Sequence, residues 1–191
     1  TQIGGLTSTQ LGAISSTNIS LLSNTQIGAL TTTQIKGLTA SQMAGLTSTN
    51  IAALADTQVG ALSSTQLAGM TPTGFSNLDA TQVATLNATQ IKGLTAAQLK
   101  GLTSTDIGEL ADTQIGALSA AQIGSLSTTS FSALNATQVA VLSATQIKGM
   151  STDQIKALTT TDVGELATTQ IAALTTAQLN ALSTTNLSAL S

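Results

Sequence analysis

Apolar residues recur along this chain at two places in every eight residues. Divided from Thr1 without a gap, the sequence gives 24 octads, the last of which lacks its eighth residue. Position 3 of the octad is large and apolar in all 24, from Ile3 to Leu187, and position 6 is apolar in all 24. Two residues three apart share one face of a helix, whereas on a strand they point to opposite faces. The pattern therefore predicts a helix in each octad.

Position 7 carries the residues that begin helices. It is Thr, Ser, Asp or Asn in 21 of the 24 octads, and position 2, which lies three residues after position 7 of the preceding octad, is Gln in 17 of the 24. Ser/Thr-x-x-Gln is the capping box, in which the two residues satisfy each other's backbone N–H groups. The one proline, Pro72, directly follows Thr71. That is the first helical position, where proline loses no hydrogen bond.

A helix of barely two turns is not stable alone, so stability has to come from stacking. We predict an all-α solenoid or superhelix of 24 very short capped helices, one per octad, with positions 3 and 6 in a shared core. Small residues at position 5 would let neighbouring helices approach closely. A β-solenoid is the alternative, because Thr, Val, Ile, Gln and Gly also suit such coils. Positions 5 and 6 argue against the β-solenoid, because they break the alternation of side chains between the two faces of a strand.

The octads themselves repeat with a longer period of seven octads. The 56-residue blocks are 33–88, 89–144 and the partial block 145–191, and TQIKGLTA at 33–40 returns unchanged at 89–96. Position 2 departs from Gln at seven residues, which are spaced alternately four and three octads apart: Asn18, Asn50, Gly74, Asp106, Ser130, Asp162 and Asn186. Such spacing predicts about 3.5 helices per superhelical turn with one distinct edge. We expect residues 1–191 to form a single repeat domain, a section of a longer protein.

Few side chains could carry out chemistry. Only 7% of the residues are charged, the net charge is −3, and there is no His or Cys. Five lysines without arginine do not make a nucleic-acid surface, and no apolar run approaches the 18 residues of a membrane span. A serine nucleophile would lack its histidine base. We therefore expect no enzyme, no catalytic residue, no metal or other cofactor, no nucleic-acid partner and no membrane insertion.

Nine of the thirteen charged residues are the candidates for an interaction edge. They are Lys36, Lys92, Lys100, Lys148 and Lys156, together with Asp106, Glu109, Asp162 and Glu165. The lysines indicate a solvated stripe, or an edge that meets the acidic octads of a neighbouring molecule. The acidic pairs could form a weak Ca²⁺ site or an acid/base pair. We favour first-turn carboxylates that complement the helix dipole.

The unit T-Q-[IVL]-x-[AG]-L-[ST]-x resembles octapeptide tracts that recur in very large bacterial surface and secreted proteins, often described as adhesin-like. The resemblance extends over the whole chain and implies an extracellular or cell-surface location. It favours a structural repeat protein that forms a rigid extracellular fibre, filament or stalk. The expected partner is a further copy, bound head to tail or laterally. The alternative is a binding module for a glycan, a peptide or ice on the edge of the superhelix.

Overall fold

The computed structural model describes residues 2–190, which fold as a succession of very short helices. The first is a 3₁₀-helix, η1 (Gln2–Gly5), and the α-helices that follow contain four to six residues each. They are α1 (Ser8–Ala13), α2 (Ser16–Ser20), α3 (Asn24–Gly28), α4 (Thr32–Lys36), α5 (Ala40–Gly45), α6 (Ser48–Ala52), α7 (Asp56–Gly60), α8 (Ser64–Gly69), α9 (Pro72–Phe75), α10 (Ala80–Ala84), α11 (Ala88–Lys92), α12 (Ala96–Lys100), α13 (Ser104–Glu109), α14 (Asp112–Ala117), α15 (Ala120–Ser125), α16 (Thr128–Phe131), α17 (Ala136–Ala140), α18 (Ala144–Gly149), α19 (Thr152–Ala157), α20 (Thr160–Glu165), α21 (Thr168–Ile171), α22 (Thr176–Leu179) and α23 (Thr184–Ser188).

One helical segment therefore corresponds to each octad, as the apolar spacing predicts. No strand forms among residues 2–190, so the all-α prediction is confirmed and the β-solenoid is not supported. None of the helices in this described part is long and apolar enough to cross a membrane. The contacts divide the chain into two compact units, one ending at Gln98 and the other beginning at Leu99. The octad pattern runs through both units, and a single repeat domain over 1–191 stays a prediction.

The helices begin where the capping residues predict. Thr31 is a typical cap, with an extended backbone at φ −72° and ψ 160°. Its hydroxyl accepts a hydrogen bond from the Gln34 N–H at 3.2 Å, while Gln34 Oε1 accepts one from the Thr31 N–H at 2.9 Å. Pro72 is the first residue of α9, directly after the cap Thr71. These reciprocal bonds satisfy the N–H groups that a helix start leaves free.

Three octads have alanine at the cap and keep only half of this arrangement. Gln58 Oε1 still accepts the Ala55 N–H at 2.7 Å, but the Ala55 side chain has no oxygen to accept a bond in return. The following residue is Asp56, at the first position of α7, where a carboxylate is favoured by the helix dipole. Ala111 is likewise followed by Asp112.

Positions 3 and 6 form the core within each unit. Ile35 and Leu38 of one octad are buried to 0% and 3% exposure, and the same pair of positions is buried along most of the chain. Phe75 and Phe131 occupy position 3 and are buried as well. The helices that pack most closely are three apart, for example α2 with α5 and α15 with α18.

Glycine at position 5 allows this close packing, as the sequence predicts. A Cβ added to Gly69 in α8 would lie 2.6 Å from the carbonyl oxygen of Ala40 in α5. Real Cβ atoms do not approach so closely, so the backbones of these two helices are in direct contact only because Gly69 has no side chain. Gly93 makes a similar contact, since a Cβ added to it would lie 2.5 Å from the Cβ of Ser64.

Candidate functional site

The glutamine at position 2 makes a second set of hydrogen bonds that joins successive turns of the solenoid. Gln154 is 1% exposed, and its Oε1 completes the capping box by accepting the Ser151 N–H at 2.8 Å. Its Nε2 donates to the carbonyl oxygens of Ile123 at 2.8 Å and Leu126 at 2.9 Å. These two carbonyls lie 31 and 28 residues earlier, at positions 3 and 6 of the octad four places back.

The same geometry repeats in both units. Position-2 glutamines that donate to carbonyls 31 and 28 residues earlier are Gln34, Gln42, Gln58, Gln66, Gln98, Gln138, Gln146, Gln154, Gln170 and Gln178. Among the described residues, no fully buried side-chain nitrogen or oxygen lacks a hydrogen-bond partner. Each of these amides therefore caps its own helix with one end and bonds the previous turn with the other. We call this set of bonds the glutamine ladder.

The ladder fixes the number of octads per turn. Helices pack against the third helix along the chain, while the glutamine amides reach the fourth octad back. A turn therefore contains between three and four octads, in agreement with the prediction of about 3.5. The relation parallels the α-helix itself, where side chains three and four apart are neighbours because a turn holds about 3.6 residues.

The ladder has fewer bonds where position 2 is asparagine, serine or glycine. Asn50 bonds the Leu22 carbonyl at 3.0 Å, and Ser130 bonds that of Leu102 at 2.7 Å, each reaching only the carbonyl 28 residues earlier. Asn186 likewise bonds Leu158. Gly74 has no side chain to donate. The shorter residues therefore keep one of the two cross-turn bonds or none.

The structure places several of these exceptions next to one another. The bond from Asn50 links the third and seventh octads, and α6 packs against α9, the helix of Gly74. In the second unit α13 packs against α16 and α20 against α23. Octads singled out by the four-three spacing therefore lie on neighbouring helices, in pairs, within each unit.

The acidic residues of the predicted interaction edge lie in two of the octads without glutamine at position 2. Asp106 and Glu109 lie on α13, Asp162 and Glu165 lie on α20, and all four are half-buried. The carboxylate of Asp162 accepts the Thr159 N–H at 2.7 Å, and Asp106 accepts the N–H of Thr103 in the same way. The two aspartates thus take the capping role of glutamine, but an ionised carboxylate has no proton to donate to the previous turn.

The lysines lie elsewhere on the surface. All five are exposed and stand at position 4, near the end of their helices. Lys156 forms an ion pair with Asp153 of its own helix at 3.9 Å, a pair that sequence analysis did not single out. Exposed pairs of this kind contribute little to stability. Whether the lysines and acidic residues form an interaction edge stays a prediction.

The pKa of the Asp79 carboxyl is displaced by the hydrogen bonds of its cap. The Thr81 hydroxyl donates to Asp79 Oδ1 at 2.6 Å, and the Gln82 N–H donates to the same oxygen at 2.9 Å. These bonds, with a further one from the Thr81 N–H, hold the pKa of the Asp79 carboxyl below its usual range. The side chain is a helix cap, so the displaced pKa has a structural cause.

The described surface has openings in both units, two of which are defined by their lining residues. The first unit has a shallow depression at Leu62 to Ser64 and Asn87 to Gln90, which are hydroxyl, amide and aliphatic residues. The second has an apolar cleft of about 150 Å³ lined by Val163, Leu166, Ile171 and Leu190 among others. Neither contains a charged side chain. Among the described residues, no three His, Cys, Asp or Glu side chains lie close enough together to hold a metal ion.

Comparison with known proteins identifies the repeat. A family model described as the ALTTAQ repeat matches residues 22–56, 128–160, 139–168 and 156–191, which together cover slightly more than half of the chain. The letters of that name occur unchanged at residues 173–178, where they run from position 5 of one octad to position 2 of the next. No curated protein matches the chain. The chain belongs to the ALTTAQ repeat family.

Proposed function

We propose that this structural repeat protein serves as a stiff spacer, the shaft of an extracellular fibre or surface stalk. The observation that carries the proposal is the glutamine ladder. Because each bridging amide bonds the octad four places back, every added octad extends the same interface and needs no new fold. The length of such a shaft is then set by the number of octads alone.

The chemistry of the surface supports the same role. Only 7% of residues are charged, so stability depends little on salt, and the absence of cysteine makes it independent of redox conditions. A shaft outside the cell would meet large changes in both. We infer that the chain is not an enzyme, because a serine or threonine nucleophile would lack a histidine base.

Stiffness is tested by solution scattering on chains of 12, 24 and 48 octads, built by deleting or duplicating whole octads. A spacer requires the maximum dimension to rise by a constant increment per octad. A matched series in which the bridging glutamines are replaced by alanine controls for the ladder, and its increment should shrink or lose its regularity. A maximum dimension that levels off between 24 and 48 octads would overturn the spacer proposal.

Location is tested separately on the cells that produce the protein. An antibody raised against the repeat should label intact cells, and external protease should remove that label while a cytoplasmic protein stays undigested. Labelling that requires lysed cells would contradict the extracellular assignment. Binding of a glycan, a peptide or ice stays a prediction, and a glycan array probed with the 24-octad chain would reveal it.

A further inference from the structure

One cross-turn bond of the glutamine ladder is missing inside the second unit. We call each bond between a position-2 side chain and the position-6 carbonyl 28 residues earlier a rung. The carbonyls of Leu126 and Leu142 each accept a glutamine amide at 2.9 Å. The octad between them has the same carbonyl at Leu134, and the residue 28 positions later is Asp162. The Leu134 carbonyl accepts no hydrogen bond from the described residues, so this rung is open.

The side chain of Asp162 is long enough to close the rung. Asparagine has the same shape as aspartate, and Asn50 donates to the Leu22 carbonyl at 3.0 Å across the same 28 residues. Asn186 closes its own rung in the same way at 2.7 Å. Oδ2 of Asp162 accepts the Thr159 N–H at 2.7 Å, as the capping oxygen of asparagine does. Oδ1 therefore takes the place of the asparagine nitrogen.

Asp162 lacks only a hydrogen to make the same bond. An ionised carboxylate accepts hydrogen bonds and donates none, so the rung has an acceptor on each side. A proton taken up from solvent on Oδ1 supplies an O–H group, while Oδ2 continues to accept the Thr159 N–H. We propose that Asp162 is a proton-operated rung. The ionised side chain leaves the Leu134 carbonyl unpaired, and the protonated side chain donates to this carbonyl and joins the two turns.

The elements around this rung carry few charges. The octad of Leu134, residues 129–136, has no titratable residue, and neither do α17 and α23, which pack against α20. On α20 itself the other charged residue is Glu165. In the preceding octad, Asp153 and Lys156 pair with each other at 3.9 Å. The state of the rung is therefore set by exchange of a proton with solvent.

The choice of aspartate makes one cross-turn bond depend on pH. Position 2 is asparagine in three other octads, so an uncharged residue of the same size fits this position of the octad. With aspartate, the turn that contains α20 is held by fewer bonds at neutral pH and gains one on acidification. Acid therefore tightens this part of the solenoid, a property that goes beyond the spacer role.

The test compares the full 191-residue chain with Asp162→Asn, which has an amide donor at every pH. Hydrogen exchange is measured at pH 7 and at about pH 2.5, where aspartate is largely protonated. The amides followed are those of Val163 and Leu166, which bond the Thr159 and Val163 carbonyls. The two proteins are compared at the same pH, so that the intrinsic exchange rate cancels. Circular dichroism verifies that helix content is unchanged.

Gln10→Asp and Gln10→Asn form a matched control pair. Gln10 has the same place in its capping box, with Oε1 accepting the Thr7 N–H at 2.9 Å, but it makes no cross-turn bond within the described residues. The pair therefore reports the effect of a first-turn charge on a capped helix without a rung. Its readout is the exchange of the Leu11 and Ile14 amides, which bond the Thr7 and Leu11 carbonyls.

At pH 7 the amides of α20 should exchange roughly two- to tenfold more slowly in Asp162→Asn than in the unmodified chain, as expected for one added hydrogen bond. Near pH 2.5 this ratio should fall toward one, because the protonated aspartate donates as well. At Gln10, asparagine should not slow exchange relative to aspartate at pH 7, since a carboxylate in the first turn is favoured there. A ratio at Asp162 that is the same at both pH values, or that follows the Gln10 pair, would overturn the proposal. The spacer proposal is judged by its own scattering series and does not depend on this result.

Discussion

Replacing Gln154 by glutamate separates the cross-turn bonds of the ladder from the capping box. The glutamate keeps the carbonyl-type oxygen that accepts the Ser151 N–H, but it loses both protons that the amide donates to Ile123 and Leu126. A neutral hydrogen bond contributes about 0.5 to 1.5 kcal/mol net, so two lost bonds remove roughly 1 to 3 kcal/mol. Placing a carboxylate beside two carbonyl oxygens adds to this loss, because the site is 1% exposed. We expect a total destabilisation of about 3 kcal/mol at pH 7, within a range of roughly 2 to 5.

Gln10→Glu is the matched control. Gln10 has the same capping bond, with Oε1 accepting the Thr7 N–H at 2.9 Å, but it is exposed and makes no cross-turn bond within the described chain. A carboxylate in the first turn of a helix is favourable, so this variant should differ from the unmodified chain by no more than about 0.5 kcal/mol.

Urea unfolding followed by circular dichroism gives the free energies, and hydrogen exchange locates the effect. Repeat arrays can unfold in more than two steps, so loss of amide protection in α15 and α19 should accompany the Gln154→Glu change. Burial raises the pKa of the new carboxyl in the folded state, so the folded protein binds the proton more tightly. The destabilisation should therefore shrink as pH falls from 7 toward the ordinary glutamate value of about 4.3. Equal stabilities of Gln154→Glu and Gln10→Glu at pH 7 would refute the cross-turn role.

Two further predictions concern packing and capping. Gly69→Ala should destabilise the protein by about 1 to 3 kcal/mol, because the new methyl group meets the Ala40 backbone. Gly164→Ala has no atom within 4 Å of its added Cβ and should stabilise α20 by up to about 1 kcal/mol. Thermal unfolding compares the two variants, and equal shifts in their unfolding temperatures would contradict the close-packing account. The lowered pKa of Asp79 makes its capping contribution complete above the ordinary aspartate pKa and progressively lost as pH falls through the folded value. The stability advantage of the unmodified chain over Asp79→Asn should therefore decline as the pH falls below about 4, and an advantage that grows on acidification would contradict the assigned cause.

Short-range rules were enough to predict the helices. The apolar pair at positions 3 and 6 and the cap at position 7 act within a few residues of each other. The sequence of each octad and its neighbour is therefore enough to predict its helix. The turn size was also within reach, since the four-three spacing of residues such as Asn50 and Gly74 records which octads become neighbours. Both predictions are confirmed by the fold.

The second role of glutamine was not predicted, because it joins residues 28 and 31 apart. A signal for it was nevertheless present. Asparagine also completes a capping box, as Asn50 does with Thr47 at 3.3 Å, yet glutamine fills 17 of the 24 octads. The longer side chain is needed to reach the carbonyl 31 residues back, and Asn50 reaches only the one 28 residues back.

The charged residues are the part of the candidate site that sequence placed least well. The octad register locates Lys156 on its helix, but nothing in the register selects Asp153 as its partner. Exposed side chains choose among neighbours of similar energy, so their pairing does not follow from a periodic pattern. The half-burial of Asp162 depends on the adjacent turn and was likewise outside the reach of local rules.

Engineered disulfides test the central claim, a turn of between three and four octads, most directly. The chain has no cysteine of its own, and a Cβ added to Gly45 would lie 3.3 Å from that of Ser16, 29 residues earlier. This is close to the separation of about 3.5 to 4.5 Å found in disulfides. The Gly45→Cys/Ser16→Cys protein should oxidise to an intramolecular crosslink, detected by mass spectrometry and non-reducing electrophoresis. Pairing Gly45→Cys with Ser8→Cys or Asn24→Cys, one octad to either side of Ser16, should give little crosslink, and efficient closure of either control instead would contradict the account.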